Sequence, residues 1–288
     1  MKHISVLVLP SVKNIKNAAN TVPEATITAG TFKKLIITLD SAPSIRYDGQ
    51  DIESFDAVWL SSFWRTRALA YAVKQYLDDR KVPSTWVEPA SSKLSDQMTF
   101  CLAGLPMPKT FFCSSHDANT FIDELEEYCG YPCVIKDNKG SRGAQSILVY
   151  SREEFLLAWK DLPKHKYYHI QEFIPNDFDW GIMVVNGQVV SGEKSYHSPE
   201  DFRNNACNGA EETFINVNDI PNNIKKLAIQ ASSSLGLSWS RADILINKNT
   251  GEGFLLEVNR SPGITEGSTE EKGSQKFFTD FCESLAKV

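Results

Sequence analysis

The chain has 288 residues, of which 42% are hydrophobic and 23% charged, and its formal net charge is −6. This composition excludes an intrinsically disordered chain and a protein that binds nucleic acid through bulk positive charge. Its six cysteines form no CxxC motif, which indicates reduced thiols. The apolar run at residues 4–9 is too short for a signal sequence or a membrane span, so we expect a soluble cytoplasmic protein.

The first ninety residues alternate apolar runs with one amphipathic segment. Strands are predicted at residues 4–9, 34–40 and 56–62, and helical spacing predicts a helix over 66–80. This alternation indicates an α/β domain with at least a partly parallel sheet. The run WRTR (64–67) follows a strand's C-terminal end, where open α/β sheets bind ligands. Two interpretations of this run stay open: a site where an anionic or aromatic group docks, and an ordinary surface patch.

The rest of the chain mixes helices with antiparallel hairpins. Helices are predicted at residues 91–105, 117–130, 151–162, 221–236 and 269–286. Strands are predicted at residues 109–113, 131–137, 145–151 and 167–174. Asn-Gly within residues 181–194 is a strong hairpin signal, and a second hairpin is predicted over 241–259.

Two strands near the C-terminal end carry acids in otherwise apolar runs. In FLLEVN (254–259), alternation places Glu257 and Asn259 on one face together with Leu255. On the preceding strand, Asp243 shares a face with Leu245. A buried carboxylate is costly unless it is neutralised, paired or bound to a metal, so either these strands have a wet face or a cation lies on them.

The turn between the two strands decides whether the acids meet. If it is centred on Thr250, Asp243 lies directly opposite Glu257, and the two carboxylates repel each other unless a cation separates them. An oxygen-only set of Asp, Glu and Asn suits Mg²⁺ or Mn²⁺ rather than zinc. An exposed sheet face with solvated acids is the alternative, and Arg241, on the same face as Asp243, is then a salt-bridge partner.

A glycine-rich segment, VIKDNKGSRGAQSILV (134–149), separates two of the predicted strands. Glycines let backbone N–H groups approach an anion, and the basic side chains add charge. Lys136 lies on an apolar strand and therefore calls for an anionic partner. A tight surface turn is the alternative interpretation of the loop itself.

Two further segments combine polar residues with irregular backbone. In IQEFIPND (170–177), Pro175 ends a strand, which leaves N–H and C=O groups that can pair with an adenine edge. The segment 193–213 is long, polar and aperiodic, which is typical of functional loops. Lys194 and Arg203 within it are candidates for stabilising negative charge, with ordinary surface positions as the alternative.

Taken in order, these segments resemble the ATP-grasp superfamily, and within it the ribosomal-protein glutamate ligases and their peptide-ligase relatives. The resemblance extends over nearly the whole chain and is strongest from residue 91 to 263. It implies an ATP-grasp fold of mixed α/β and α+β type: an N-terminal α/β domain (1–90), a central domain with the glycine-rich loop (91–172) and a C-terminal domain with the metal site (173–288). ATP is expected between the last two.

The resemblance also implies roles for individual residues. The nucleotide phosphates would meet Lys93, Lys136, Gly140, Ser141, Arg142 and Gly143. Adenine would be held at the hinge Gln171, Glu172, Phe173 and Ile174, and the ribose by Asp179 or Asp177. The transferred phosphate would lie near Lys194, and the catalytic loop would supply Arg203 and Asn205. Arg241 stands where the D-alanine–D-alanine ligases carry a transition-state arginine, and the magnesium ligands would be Asp243, Glu257 and Asn259.

The implied activity is an ATP-dependent carboxylate–amine ligase that forms an amide through an acyl phosphate. ATP and Mg²⁺ or Mn²⁺ are the expected cofactors, and the substrates are an amino acid, a peptide or a protein tail. Nucleic-acid and membrane partners are not expected, and homo-oligomerisation is left open.

Two departures from the family pattern bear on activity. The usual Asp-x-Arg after the hinge reads Asp179-Trp180-Gly181, and the His-Arg-Gly-Gly segment reads CNGA at residues 207–210. A nucleotide-binding regulatory protein without ligase activity therefore stays open, as do a phosphotransferase or thiol-ligase variant of the fold and an unrelated metal-binding α/β protein.

Overall fold

The computed structural model describes residues 3–10, 25–39, 43–61, 66–88, 92–138, 146–196 and 211–286. Across these residues, no helix is both long and apolar enough to cross a membrane. The five cysteines in the same ranges form no disulfide.

The N-terminal part is built on a parallel sheet, which confirms the prediction for this region. Strand β1 (Ile4–Leu9) lies between β2 (Ala25–Ala29) and β6 (Ala57–Leu60) and runs parallel to both. Helix α1 (Arg67–Asp79) buries Val73 and Leu77 against this sheet's core.

The predicted strand at 34–40 does not join the parallel sheet. It forms β3 (Leu35–Thr38), which belongs to a separate antiparallel sheet with β4 (Ser44–Tyr47) and β5 (Gln50–Asp51). The position beside β1 is taken instead by β2, a short strand that the sequence pattern did not reveal.

The central part is a four-stranded antiparallel sheet covered by two helices. In chain order its elements are α2 (Lys93–Leu102), β7 (Thr110–Phe112), α3 (Ile122–Tyr128), β8 (Cys133–Asp137), β9 (Ser146–Val149), α4 (Arg152–Asp161) and β10 (Tyr168–Glu172). The strand order is β7-β10-β8-β9. Phe155 and Trp159 of α4 fill the core beneath this sheet. Helix α2 packs elsewhere, because its Phe100 is buried with Trp180 and Ile244.

The C-terminal part is a five-stranded antiparallel sheet. Its elements are β11 (Phe178–Val185), β12 (Gln188–Tyr196), β13 (Glu211–Ile215), α5 (Asn222–Ser234), β14 (Trp239–Ile246), β15 (Gly253–Asn259) and α6 (Thr269–Ala286), with strand order β13-β12-β11-β14-β15. Helix α5 covers the apolar face, and α6 packs on the opposite face together with β1. Asn186 and Gly187 both have positive φ, at 47° and 74°, as the predicted hairpin turn requires.

Two irregularities in this sheet determine which side chains reach its site face. In β12 the pairing shifts after Met183–Ser191 to Val184–Val189, so Val190 is an extra residue. In β15 the pairing shifts after Asp243–Glu257 to Ile244–Leu255, so Leu256 is the extra residue. A single extra residue reverses the faces on which the following side chains lie.

A buried ion cluster joins the N-terminal part to the end of β15. The guanidinium of Arg260 binds both carboxylate oxygens of Asp96, at 2.7 and 2.9 Å, and also pairs with Glu88. Glu88 lies 3.1 Å from Nε of Arg67. Because Arg260 directly follows Asn259, this cluster ties the end of the predicted metal strand to helices α1 and α2.

We expect Asp96→Asn to lower the free energy of unfolding by about 3–5 kcal/mol, because two buried arginines, Arg67 and Arg260, must then share the single carboxylate of Glu88. The shift in the chemical unfolding midpoint measures this loss. Asp280→Asn is the matched control: its partner Lys276 is 72% exposed, so its loss should cost less than about 1 kcal/mol. Equal losses of stability in the two variants would contradict the proposed contribution of the buried cluster to the free energy of unfolding.

Candidate active site

The two predicted metal acids lie directly opposite each other. Asp243 pairs with Glu257 across β14 and β15, as predicted. Next to the turn, Ile246 pairs with Gly253, so the turn is centred half a residue before Thr250. The extra residue at Leu256 shifts the pairing back, so that Asp243 and Glu257 are paired as predicted.

The same bulge corrects one predicted face. Leu255 was expected beside Glu257, but it is buried in the apolar core with Ile244 and Val258. Leu256 instead lines the site cavity beside Glu257. The extra residue lets two consecutive side chains, Leu256 and Glu257, reach the same cavity.

A lysine stands beside Glu257. Nζ of Lys93, at the start of α2, lies 2.9 Å from Oε2 of Glu257. The positive charge of Lys93 lowers the pKa of Glu257 and more than offsets the effect of burial. The sequence predicted a cation beside Glu257, and the ammonium of Lys93 supplies part of that positive charge.

The negative charge of Asp243 is neutralised less completely than that of Glu257. Its Oδ2 accepts a hydrogen bond of 2.8 Å from Nδ2 of Asn259, while Oδ1 is buried and accepts none from the described residues. Burial raises the pKa of Asp243 to about 7, although Arg241 opposes the shift. Although Oδ1 lies 3.3 Å from Nε of Arg241, it makes no hydrogen bond to a described residue. A buried carboxylate oxygen without a hydrogen bond, next to a second acid and an amide oxygen, fits a hard divalent cation such as Mg²⁺. Within the described ranges no three acidic, histidine or cysteine side chains form a metal site by themselves, so ligand oxygens would complete the set.

The acid pair opens into a cavity between the central and C-terminal sheets. Its empty volume is about 910 Å³ including the solvent at its mouth. Nine residues predicted from the sequence line it: Lys93, Lys136, Gln171, Glu172, Phe173, Ile174, Asp179, Asp243 and Glu257. The structure thus brings residues of α2, β8, β10 with the hinge after it, β11, β14 and β15 into one cavity.

Lys136 lines this cavity from strand β8. Its Nζ donates a hydrogen bond of 2.6 Å to Oε1 of Gln171, whose Nε2 in turn donates to Oγ1 of Thr110. Burial, together with the charge of Lys93, lowers the pKa of Lys136 to about 8. No carboxylate binds this ammonium directly among the described residues, so it is open to an anionic ligand.

The hinge offers fewer free backbone groups than the sequence suggested. The N–H of Glu172 donates to the carbonyl of Lys109, and the N–H of Phe173 donates to the carbonyl of Pro132. Only the N–H of Ile174, of these three, makes no hydrogen bond to a described residue. Of the two candidate ribose acids, Asp179 lines the cavity, whereas Asp177 is exposed and lies 3.8 Å from Lys248.

Lys194 is not part of this site. It pairs with Trp180, on the sheet face opposite the acids, and its ammonium lies 4.4 Å from the ring centre of Phe178 and 5.0 Å from that of Trp180. The prediction that Lys194 neighbours the transferred phosphate is therefore wrong. The bulge at Val190 is the reason, because without it Lys194 would pair with Asp179 on the site face.

Several predicted residues lie outside the described ranges. They are Trp64, Arg65, Gly140, Ser141, Arg142, Gly143, Arg203 and Asn205. Arg67, which belongs to the same WRTR run, is described and is only 5% exposed. Because it is buried and pairs with Glu88, Arg67 is a structural residue and not part of a docking patch. Burial, with the nearby charge of Arg260, lowers its pKa to about 10.

The comparisons with known proteins agree with this geometry. A family model described as the RimK-like ATP-grasp domain matches residues 90–275. The chain belongs to this family. It is 30% identical over 237 residues to a probable alpha-L-glutamate ligase of Halorhodospira halophila, a match that covers 78% of this chain and 74% of the relative. A probable alpha-L-glutamate ligase of a Marinomonas species is 28% identical over 241 residues, with the same two shares.

Solved ATP-grasp structures share the fold over nearly the full length. The ATP-grasp ligase PsnB complexed with a minimal precursor superposes with a TM-score of 0.67 at 20% identity, covering 99% of both chains. D-alanine–D-alanine ligase from Bacillus anthracis complexed with ATP superposes with a TM-score of 0.68 at 16% identity, covering 99% of this chain and 96% of the other. The predicted ATP-grasp fold and the predicted class, an ATP-dependent carboxylate–amine ligase, are confirmed.

Gly181 stands where the family pattern has an arginine, and in this ATP-grasp protein the side chain of Arg241 lies over it. A Cβ at Gly181 would lie 2.2 Å from Nη2 and 2.5 Å from Cζ of Arg241, so the guanidinium rests on the bare backbone of Gly181. A guanidinium thus lies directly over position 181, carried by the neighbouring strand β14.

Three carboxylates surround that guanidinium. Arg241 lies 3.1 Å from Glu193, 3.3 Å from Asp243 and 3.4 Å from Glu270, measured between nitrogen and oxygen atoms. Glu193 and Glu270 are fully buried, and burial raises the pKa of Glu270 to about 7. Arg241 is therefore held rigidly beside the predicted metal acid.

Three titratable residues in or beside the site were not predicted from the sequence: His169, Glu193 and Glu270. Strand alternation places His169 on the face of Gln171, so its signal was present in YYHIQEFI. Glu193 faces the site only because of the bulge, and Glu270 reaches it from α6. Neither of the two glutamates had a local signal.

Proposed function

We propose that this protein joins L-glutamate to a carboxylate acceptor by way of an acyl phosphate. The glutamate is inferred from the relatives, which are described as probable alpha-L-glutamate ligases. The observation that carries the mechanism is the meeting of two lysines, an acid pair and a held guanidinium around one cavity.

In the first step, an oxygen of the acceptor carboxylate attacks the γ-phosphorus of ATP and ADP leaves. Lys93 and Lys136 neutralise phosphate oxygens and hold them in line, since phosphoryl transfer needs mainly positioning and charge neutralisation. Asp243, Glu257 and Asn259 would hold Mg²⁺, which would supply further charge neutralisation at the phosphates. The hinge at Ile174 and the carboxylate of Asp179 bind the nucleoside.

In the second step, the amine attacks the acyl carbon, the tetrahedral intermediate collapses, and phosphate leaves with the loss of one proton from nitrogen. Arg241, beside Asp243, stabilises the oxyanion of this intermediate. Arg203, which lies outside the described ranges, is the other candidate for this role.

The Lys93–Glu257 ion pair suggests how nucleotide and metal binding depend on each other. The ammonium of Lys93 neutralises Glu257, with Nζ 2.9 Å from Oε2. When phosphate oxygens draw Lys93 away, Glu257 loses its cationic partner and gains affinity for a metal ion. We therefore expect nucleotide and Mg²⁺ to bind with positive cooperativity.

The proposed reaction is tested by measuring ADP release with every pair of L-glutamate and candidate carboxylate acceptors, with mass spectrometry for new amides. ADP release that requires both substrates and yields an amide is the expected result. Binding of Mg-ATP without turnover across the acceptor set would contradict ligation and favour a regulatory protein.

ATP affinity should depend on the charge of Lys136. Because burial lowers the pKa of Lys136 to about 8, phosphate binding above that pH requires proton uptake. We expect the Kd for ATP to be flat below pH 8 and to rise roughly tenfold per pH unit above it. Isothermal titration calorimetry between pH 7 and 9.5 measures this.

The matched control for this pH profile is Lys136→Arg, since a guanidinium stays protonated over the whole range. Its profile should be flat even if its affinity is lower. A flat profile for the wild-type protein would contradict the assignment of Lys136 as the titrating phosphate ligand.

A further inference from the structure

One buried histidine of the cavity has no role in the function proposed above. His169, on β10, lies directly opposite Lys136 on β8 and is 1% exposed. It lines the same cavity as Lys136, Gln171 and Glu257. A buried imidazole at this position is not needed for the apolar core, which lies on the other face of the strand with Ile170 and Ile135.

The two ring nitrogens of His169 have different surroundings. Nδ1 lies 2.7 Å from Oδ1 of Asn138, a residue that is 7% exposed and whose N–H donates to the carbonyl of Tyr167. Nε2 is buried and has no hydrogen-bond partner among the described residues. A buried polar atom without a partner is costly, so a ring that is fixed through one nitrogen and unpaired at the other indicates a position where a ligand atom binds.

The charges around Nε2 of His169 indicate which kind of ligand atom can bind there. Burial, together with Lys136 and Lys93, lowers the pKa of His169 well below its usual range, so the ring is neutral. Both charged neighbours that act on it are cationic, which makes this part of the cavity an anion site. The atom that suits it best is therefore an oxygen of the nucleotide's phosphate chain.

A phosphate oxygen only accepts hydrogen bonds, so Nε2 must carry the proton. In the neutral ring Nδ1 is then an acceptor, and Asn138 must offer its Nδ2–H₂ group. A half-turn of the Asn138 amide, whose oxygen and nitrogen are nearly equivalent in shape, provides this arrangement without moving the chain.

We propose that His169 is a nucleotide-contacting residue that donates a hydrogen bond from Nε2 to a phosphate oxygen, with Asn138 fixing its tautomer. This inference rests on the nucleotide site of the proposed function and adds a phosphate ligand to it. The chemistry recognised is a nucleoside polyphosphate, and the adenine edge plays no part in it.

The test compares the binding of ADP, AMP and adenosine to the wild-type protein and to His169→Leu by calorimetry. Loss of one hydrogen bond to a charged group should weaken ADP binding about 10- to 100-fold. Adenosine, which has no phosphate, should bind both proteins within about twofold. AMP distinguishes the two phosphates: a loss already seen with AMP places the contact at the first phosphate.

Two further variants separate a phosphate contact from a structural role. His169→Gln keeps an N–H donor and should retain more of the ADP affinity than His169→Leu. His165→Leu, which removes an exposed histidine from the preceding loop, should bind all three ligands as the wild type does. Equal losses for adenosine and ADP, or no loss for either, would overturn the proposal.

Because binding is measured without turnover, the two proposals can fail separately. A wild-type protein that binds ADP and forms no amide would contradict the ligase mechanism and leave the His169 comparison fully interpretable. A wild-type protein that binds neither ADP nor ATP would overturn both.

Discussion

Replacing Glu257 by glutamine is expected to lower Mg-dependent ADP formation about 1000-fold or more, because a carboxylate ligand worth several kcal/mol of charge stabilisation is lost. The substitution keeps the shape of the side chain, and the strand pairing with Asp243 does not depend on its charge. The fold should therefore persist, which circular dichroism and the chemical unfolding midpoint can check. Initial rates of ADP release with saturating substrates measure the main effect.

The control for Glu257→Gln lies on the same hairpin. Glu252 is an exposed acid just before β15, and Glu252→Gln should keep wild-type activity. The variant Glu257→Gln should also lose Mg²⁺-dependent nucleotide binding, while Lys93, released from its ion pair, should keep metal-free ADP binding at least as strong as in the wild type. Full ADP release by Glu257→Gln would refute the metal assignment.

Gly181→Ala is expected to lower kcat about 100-fold with little change in the Kd for ATP. A Cβ at this position would lie 2.2 Å from the Arg241 guanidinium, so the guanidinium must leave its place beside Asp243. Loss of one positioned donor to a developing oxyanion costs about 100- to 1000-fold in rate. Steady-state kinetics for amide formation, with ATP binding measured separately, give the two quantities.

Gly253→Ala is the matched control, since it adds a methyl group to the same sheet on the face of α5. There the nearest atom is Cδ1 of Ile224, the end of a flexible side chain. We expect this variant to change stability slightly and kcat little. Equal losses of kcat in the two glycine variants would show a general response of the sheet to added volume.

An exchange variant tests whether activity depends on where the guanidinium lies in space or on which residue carries it. In Gly181→Arg/Arg241→Gly, the arginine returns to position 181, where the family pattern has it, and the bare backbone moves to the neighbouring strand. We expect the exchange variant to recover part of the activity that Arg241→Gly loses alone. No recovery would mean that Glu193 and Glu270 support only the guanidinium carried by Arg241.

Local patterns predicted much of this fold because the relevant interactions are local. The hairpin turn at Asn186 and Gly187 needs positive φ at both residues, and the helix at Thr269–Ala286 follows from its periodicity. Lys136 was predicted because an ammonium on an apolar strand requires an anionic partner, whereas Gln171 was predicted from the resemblance of its segment to the hinge of the ATP-grasp family. Strand β2 was not predicted, because its short run ATITA carries no marked pattern.

The prediction for Lys194 failed for a reason that no local pattern shows. A two-residue turn without a bulge would place Lys194 on the site face and Glu193 on the apolar face. The extra residue Val190 reverses both, and it is held by packing against Gly273 of α6, more than eighty residues later in the chain. The choice of face therefore depends on a tertiary contact.

By itself, the sequence determined the strand periods, the hairpins, and the pairing of two acids that require a cation, because these follow from neighbours along the chain. The tertiary structure alone decided that Arg241 rests on Gly181, that Glu193 and Glu270 hold it, and that Nε2 of His169 is buried without a hydrogen-bond partner among the described residues. Those relations join residues on different strands and helices. Their distances are set by bulges and by the packing of α6, which a linear pattern does not encode.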